Sequence, residues 1–251
     1  MSPSGMDRDN PQPAVGDAFG EALLNTLDGA DLLDVIYERD DGLVNADTSD
    51  YFLEPADWHE RDRWALDRCR GRVLDLGAGA GRASLALQTR GTEVLALDVS
   101  PGAIETCRQR GVRDTFIGEV TDLAATTSRR FDTFVALGNN LGLLGTAERA
   151  ARMFDAFARL ANPGATIVGT CLDPTAGDAP PWHATYHERN RAAGLPPGQI
   201  RLRTRFRNIT TEWFDLYWMS PDELDALARK CGWQVTEVLP GLLYGAALER
   251  L

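Results

Sequence analysis

The stretch from Val73 to Gly81 restricts this chain more than any other, because it forces a strand, a tight turn and a helix into one short run. Val73-Leu74-Asp75-Leu76 is apolar enough for a buried strand, and Gly77-Ala78-Gly79-Ala80-Gly81 is a turn free of bulky side chains. A helix is predicted to start at once and to run over 81–90. Glycines at such a junction let the backbone turn sharply and let a ligand approach it without interference from a Cβ. A second strand, predicted over 93–97, leads into Asp98, 21 residues after Gly77. An acid at that place accepts both hydroxyls of a ribose, so the spacing points to a ligand that contains a nucleoside.

The rest of the chain supports a parallel α/β architecture. From residue 72 short apolar strands alternate with helices, with strands predicted at 72–76, 93–97, 115–118, 131–137 and 165–172. Ser100-Pro101 reads as an N-cap followed by a proline at the first helical position, and 146–160 as a further helix. A last helix over 221–231 precedes strands at 234–239 and 242–248, joined by a short turn at Pro240-Gly241. Upstream, 16–39 shows helical spacing broken near Gly29, 40–54 is loop-like, and Pro55 opens a helix to about Arg70. Residues 16–70 are therefore predicted to form an N-terminal helical cap, 71–251 the α/β domain, and 1–15 a disordered leader.

Composition narrows the partners. The 37 acidic against 26 basic residues give a net charge of −11, which argues against a nucleic-acid backbone as ligand. No run approaches the roughly 20 apolar residues that span a bilayer, and residues 1–15 lack the apolar core of a signal peptide, so a cytoplasmic protein without membrane contact is expected. The four cysteines lie far apart with no CxxC pair and read as reduced thiols. No zinc pattern is present, and no metal is expected.

Two details separate a dinucleotide from S-adenosylmethionine (SAM). The dinucleotide fingerprint needs a third glycine where this chain has Arg82, and Asp75 would sit badly beside a pyrophosphate. The run Asp75-Leu-Gly-Ala-Gly-Ala-Gly81 with Leu97-Asp98-Val-Ser-Pro101 resembles the first motif and the acidic second strand end of class I, Rossmann-like SAM-dependent methyltransferases. The resemblance covers about 72–172, with weaker agreement through the last helix and hairpin. It implies a doubly wound seven-stranded sheet in the order 3-2-1-4-5-7-6, the last strand antiparallel, with SAM as cofactor and S-adenosylhomocysteine as product. It implies that Asp75, Gly77, Ala78 and Gly79 line the methionine and ribose, that Asp98 holds the ribose and that Val99 packs on the adenine. Glu119-Val120 would meet the adenine edge, although the family more often has Asp there. Gly138, Asn139 and Asn140 would end the fourth strand, where the methyl group meets its acceptor.

The acceptor is written less clearly. Methyltransferases that act on exocyclic amines of DNA bases or on glutamine carry (Asp/Asn)-Pro-Pro-(Tyr/Phe) after the fourth strand, whereas this chain has Gly138-Asn139-Asn140-Leu141. Together with the acidity, that favours a small-molecule acceptor, read here as a biosynthetic metabolite, with transfer to O, N or C left open. A protein or peptide methyltransferase and a non-catalytic SAM-binding protein are the alternatives. The insertion 173–219, after the fifth strand, is the expected substrate cover. Within it, His183 and His187 share one face of a short helix, and with Tyr186 they are the candidate catalytic groups. Strict alternation over 200–207 predicts a strand with Arg201, Arg203, Arg205 and Arg207 on one face, paired with a second strand at 212–218. That face reads either as a solvated edge paired to Glu212 and other acids, or as a basic wall in which Arg203 and Arg205 orient a substrate anion. Tyr51, Trp58, Asn140, Trp182 and Trp218 complete the candidate substrate residues; a Trp or Tyr is otherwise ordinary core.

Overall fold

The computed structural model describes residues 13–29, 35–47, 50–177 and 183–251. From the N-terminal side the elements are β1 (Ala14–Val15), α1 (Ala18–Leu27), β2 (Val35–Arg39), β3 (Val44–Asp47) and α2 (Glu60–Leu66). The alternating region follows as β4 (Val73–Leu76), α3 (Arg82–Thr89), β5 (Val94–Asp98), α4 (Pro101–Gln109), β6 (Thr115–Ile117), α5 (Val120–Thr126), β7 (Phe131–Ala136), α6 (Ala147–Leu160) and β8 (Ala161–Leu172). The last third contains α7 (Ala184–Ala192), β9 (Gln199–Phe206), β10 (Ile209–Thr210), β11 (Phe214–Tyr217), α8 (Pro221–Lys230), β12 (Trp233–Leu239) and β13 (Leu243–Arg250). None of the described helices is long and apolar enough to cross a membrane.

Seven strands form one sheet in the order β12-β13-β8-β7-β4-β5-β6. The five strands β4 to β8 run parallel, and β13 lies antiparallel between β8 and β12. This is the expected order and the expected antiparallel ending. The central strands are apolar on both sides because helices cover both faces. On one face Phe131, Phe134, Phe154, Phe157 and Trp233 pack under α6 and α8; on the other, α2 and α3 bury Ala65, Leu66, Ala83 and Leu87 against Val73, Val135 and Val168. Local signals agree with these helices. Ser220 and Glu223 form a reciprocal capping box at α8, and Thr146 and Ser100 cap α6 and α4.

The cap is helical only in part. Its helices are α1 and the short α2, while 35–39 and 44–47 are strands. Helix α1 stops at Asp28 and Gly29, the latter at φ +88°, and the chain resumes as Val-Ile-Tyr, residue types that suit a pleated surface. These strands join a second sheet, ordered β1-β10-β9-β2-β3, in which β9 also pairs with β11. Cap and insertion, read from the sequence as two covers, are therefore one sheet. Residues 1–12 of the expected leader lie outside the described residues, and Ala14–Val15 pair in parallel with Ile209 and Thr210.

Helix α1 docks on α4 through two glycines. A Cβ on Gly102 would stand 2.6 Å from the Gly20 carbonyl carbon, so both positions require the bare backbone. One carboxylate joins the two helix starts. Asp17 accepts from Gly20 N at the head of α1, and from Gly102 N and the Ser100 hydroxyl at the head of α4. Asp17→Ala is expected to cost about 1–3 kcal/mol of stability, since it removes a cap and leaves two further donors without their acceptor. Urea unfolding followed by circular dichroism measures that loss.

Candidate functional site

The glycine loop is held open by backbone bonds on one side and by two side chains on the other. Gly77 N and Ala78 N donate to Leu97 O at 2.8 and 3.0 Å, tying the turn to the end of β5. Gly77, Gly79 and Gly81 all have positive φ, a region costly for other L-residues. Asp98 Oδ2 accepts from Gly79 N and Oδ1 from Ser100 N, both at 2.9 Å. An ionised carboxylate has about four lone-pair sites, so Asp98 keeps acceptor capacity after these two bonds. Burial pushes its carboxyl above the usual carboxylate range. Beside it Val99 is 61% exposed at the head of the sheet, an unusual position for a valine in a folded core domain.

Asp75 is 2% exposed and points into the domain, where Oδ2 accepts from Ser84 Oγ of α3 at 2.7 Å. Burial raises its carboxyl to about 6, with the Ser84 bond opposing. Because the folded value lies above the unfolded one, the folded state holds the proton more tightly, and stability falls as pH rises from about 4 to about 6. Asp75→Asn is expected to abolish that slope, worth on the order of 1–3 kcal/mol across the window. Denaturation at pH 4.5 and 7.5 in both proteins provides the comparison.

Asn140, in the turn after β7, is the second clamp. Its Nδ2 donates to Leu76 O at 3.0 Å and to Gly77 O at 2.9 Å. Asn139 adopts a left-handed conformation; its N donates to Thr170 Oγ1 and its Oδ1 accepts from Leu172 N, tying the end of β7 to β8. Gly138 is exposed at φ +65° beside them. Glu119, at the start of α5, accepts from Arg149 at 2.8 Å, and Val120 is buried in the main core. Tyr51 lies over the loop: a Cβ on Gly79 would stand 3.3 Å from its ring. It meets Phe19 edge-on at 5.2 Å, and its hydroxyl is 3.1 Å from that of Tyr37. Trp58 is buried, donates to Leu53 O, and carries the Arg82 guanidinium 4.7 Å above its ring.

The insertion supplies a buried histidine pair. His183 and His187 are each 6% exposed, with ring centroids 6.0 Å apart and nearly parallel, and Trp218 meets His183 edge-on at 4.8 Å. Arg39 Nη1 lies 2.8 Å from His183 Nδ1, and Arg39 is itself held by both oxygens of Asp41. Arginine only donates, so Nδ1 accepts and the proton of the neutral ring is assigned to Nε2. Burial, then Arg39 and His187, lowers His183 to about 4. Burial, then Arg191 and Arg39, lowers His187 as well. Both rings are thus neutral at pH 7. Among the described residues, His187 Nε2 and Trp218 Nε1 are closed to solvent with no hydrogen-bond partner.

A continuous path of contacts joins this pair to the loop. Asn140 holds Gly77 O; two residues on, a Cβ at Gly142 would stand 3.7 Å from both Asn139 Oδ1 and Trp218 Cδ1. Trp218 then meets His183, which stacks on His187. Tyr186 occupies a different place. Its hydroxyl donates to Asp40 Oδ1 and accepts from Arg201 N, and its ring lies between the Arg39 and Arg189 guanidinium groups, so it pins cap to insertion. Burial and the Asp40 bond raise its phenol to about 12.

The arginine strand is not an edge. Strand β9 lies between β2 on one side and β10 and β11 on the other, and Arg203 and Arg205 both pair with Glu38 of β2 at 2.6 Å rather than with Glu212. Arg203 also covers the Trp213 ring at 4.8 Å. Trp182 lies outside the described residues. Three participants carried no sequence signal that isolates them: Asp17, Arg39 and Asp62, the last of which pairs with Arg82 at 2.9 Å.

Residues 73–164 match a family model described as a methyltransferase domain. Over those residues the chain is similar to a methyltransferase domain. A structure of a SAM-dependent methyltransferase from Bacteroides fragilis, in complex with S-adenosyl-L-homocysteine, superposes with a TM-score of 0.78 at 24% identity, covering 96% of this chain and 99% of that one. Its coverage shows that cap and insertion belong to the shared fold. The ubiquinone biosynthesis O-methyltransferase of Xanthomonas oryzae pv. oryzae is 30% identical over 115 residues, or 44% of this chain and 46% of that protein. The demethylmenaquinone methyltransferase of Clavibacter sepedonicus is 35% identical over 97 residues, 39% of each chain. The chain thus matches less than half the length of these curated relatives.

Proposed function

We propose that this methyltransferase domain binds SAM at the Val73–Gly81 loop and methylates a small-molecule acceptor, with His187 as the group that takes the acceptor's proton. The observation that carries the acceptor side is the buried, neutral His187, whose Nε2 has no partner among the described residues at the far end of the contact path from Gly77. The residues present fit SAM. A Cβ on Gly77 would fill the space against Asn140, and the exposed Val99 beside Asp98 offers an apolar face to a purine. When bound, SAM supplies a methyl group made electrophilic by its sulfonium.

In this reading the free lone pairs of Asp98 accept from the ribose, Val99 covers the adenine, and Glu119 with the adjoining Val120 backbone borders the adenine edge. Gly77, Ala78 and Gly79 leave room for the ligand, and Asp75 supports them through Ser84. Gly138 and Asn139 bound the place of transfer, and Asn140 holds the loop in register with it. Tyr51, Trp58 and Trp218 wall the acceptor, while Arg203 and Arg205, both held by Glu38, shape that wall. In-line transfer depends first on positioning; a base is required where the acceptor is a hydroxyl, a protonated amine or a carbon acid, and a neutral histidine meets that need near pH 7. The small-molecule reading draws support from the quinone-pathway names of the curated relatives. Incubation with methyl-labelled SAM and a metabolite extract should place label in the small-molecule fraction. Label in a protein band would replace this reading with a protein methyltransferase, and absence of S-adenosylhomocysteine binding in a folded sample would remove the cofactor.

A further inference from the structure

Asp98 is held in place by a chain of hydrogen bonds that begins outside the α/β domain. Its Oδ1 accepts from Ser100 N and its Oδ2 from Gly79 N, both at 2.9 Å. Ser100 is 7% exposed, and its hydroxyl accepts from Ala103 N at the head of α4. A serine hydroxyl has one hydrogen to give, and here it goes to Asp17, both of whose oxygens lie 2.8 Å from Ser100 Oγ. Asp17 stands at the head of the cap helix α1, where it also accepts from Gly20 N and, across the junction, from Gly102 N. The cap is thus connected through Ser100 to the carboxylate at the end of β5.

The junction brings the two helices together backbone to backbone. A Cβ on Gly20 would stand 2.5 Å from Ser100 Oγ and 2.6 Å from Gly102 Cα, so α1 reaches Ser100 only because neither helix carries a side chain there. The same helix carries Phe19, whose ring meets Tyr51 edge-on, and a Cβ on Gly79 would stand 3.3 Å from the Tyr51 ring. Docking of α1 therefore sets both the acid that binds Gly79 N and the aromatic ring that lies against Gly79. Burial and, after it, the charge of Asp17 push the Asp98 carboxyl upward against its two backbone bonds, so the carboxylates are joined electrostatically as well. We infer that Asp17 is a positioning residue for the nucleoside site: through Ser100 it orients Asp98 toward the ribose, so that docking of α1 and binding of the nucleoside are one coupled event. This inference rests on the SAM reading and on Asp98 as the ribose acceptor. It goes beyond helix capping, because a cap alone would stabilise α1 and α4 and leave discrimination at the ribose untouched. By linkage, a ligand held more tightly when α1 is docked must in turn hold α1 in place.

Calorimetry with S-adenosylhomocysteine and its 2′-deoxyribose analogue tests it. The wild-type protein should prefer the first by at least about 10-fold, the worth of a hydrogen bond to a charged acceptor. Asparagine at position 17 fills the same space, yet in either orientation its NH2 group faces one of the backbone donors. Asp17→Asn should weaken S-adenosylhomocysteine by roughly 10- to 100-fold and reduce its preference over the deoxy analogue to about twofold. A folded variant that keeps the full preference overturns the inference, because Asp17 would then serve only the helix ends. Amide hydrogen exchange on the wild type covers a variant that fails to fold. With S-adenosylhomocysteine at about 100 times its Kd, amides of α1 should exchange roughly 10- to 100-fold more slowly. Slower exchange in the glycine loop with α1 unchanged overturns the coupling. Equal wild-type affinity for the two probes removes the ribose role of Asp98 and the inference with it, and binding of neither removes the SAM reading itself.

Discussion

Gly77→Ala should lower S-adenosylhomocysteine affinity by at least about 100-fold in a protein that still folds. Two effects act at this one position. The residue sits at φ +66°, where an added Cβ costs roughly 1–2 kcal/mol. The new methyl would also stand 2.5 Å from Asn140 Nδ2, well inside contact distance, so Asn140 must leave. Its departure breaks the bonds to Leu76 O and Gly77 O, worth roughly 0.5–1.5 kcal/mol each. The sum, about 2–5 kcal/mol, is paid partly in stability and partly in the shape of the loop. Gly91→Ala separates the two. Gly91 has φ +79° but no atom of the described residues within 4 Å of its Cβ position, so it reports backbone strain alone and should leave affinity unchanged. Asn140→Ala removes the clamp without strain and should fall between them. Calorimetric titration with thermal unfolding on each variant decides the case; a Gly77→Ala protein that binds normally would show that the ligand does not use this loop.

The loop was legible because its chemistry is local. A strand, three glycines and an acid at a fixed distance all lie within one crossover, and the turn geometry follows from residues that touch their own neighbours. The sheet order came from the same region by resemblance. The second sheet was not legible, for the opposite reason. Glu38 meets Arg203 across 165 residues and Arg39 meets His183 across 144, so no window of sequence contains both partners. Judged alone, 16–39 has helical spacing; judged with β9 beside it, Val35–Arg39 is a strand, since pairing outweighs a weak local preference. The arginine alternation was correctly read as a strand, yet what its charges do depended on Glu38, an acid on the cap. The histidines were found by their spacing, whereas their neutrality follows from burial and from Arg39, neither of which is written nearby.

His187→Ala should reduce kcat by roughly 10²- to 10⁴-fold on the acceptor identified by labelling, with cofactor affinity unchanged. The size follows from removing a proton acceptor rather than a wall of the site, and the pH profile distinguishes the two. A histidine base works when neutral. Burial and the charges of Arg191 and Arg39 lower His187 below its ordinary 6.5, so the wild-type rate should persist below that pH and fall only at more acid values. The variant should lose this acid limb, and added imidazole should restore part of the rate. The same depression sets a limit on the measurement. Folded-state values below the unfolded 6.5 mean that the native state binds protons less readily, so the stability contributed by His183 and His187 is full above about 6.5 and declines as pH falls toward 4. Rates must therefore be compared where thermal unfolding shows both proteins intact. A His187→Ala enzyme with wild-type kcat and an unchanged acid limb would leave the insertion as a positioning wall, and the acceptor would then be a nucleophile that needs no base.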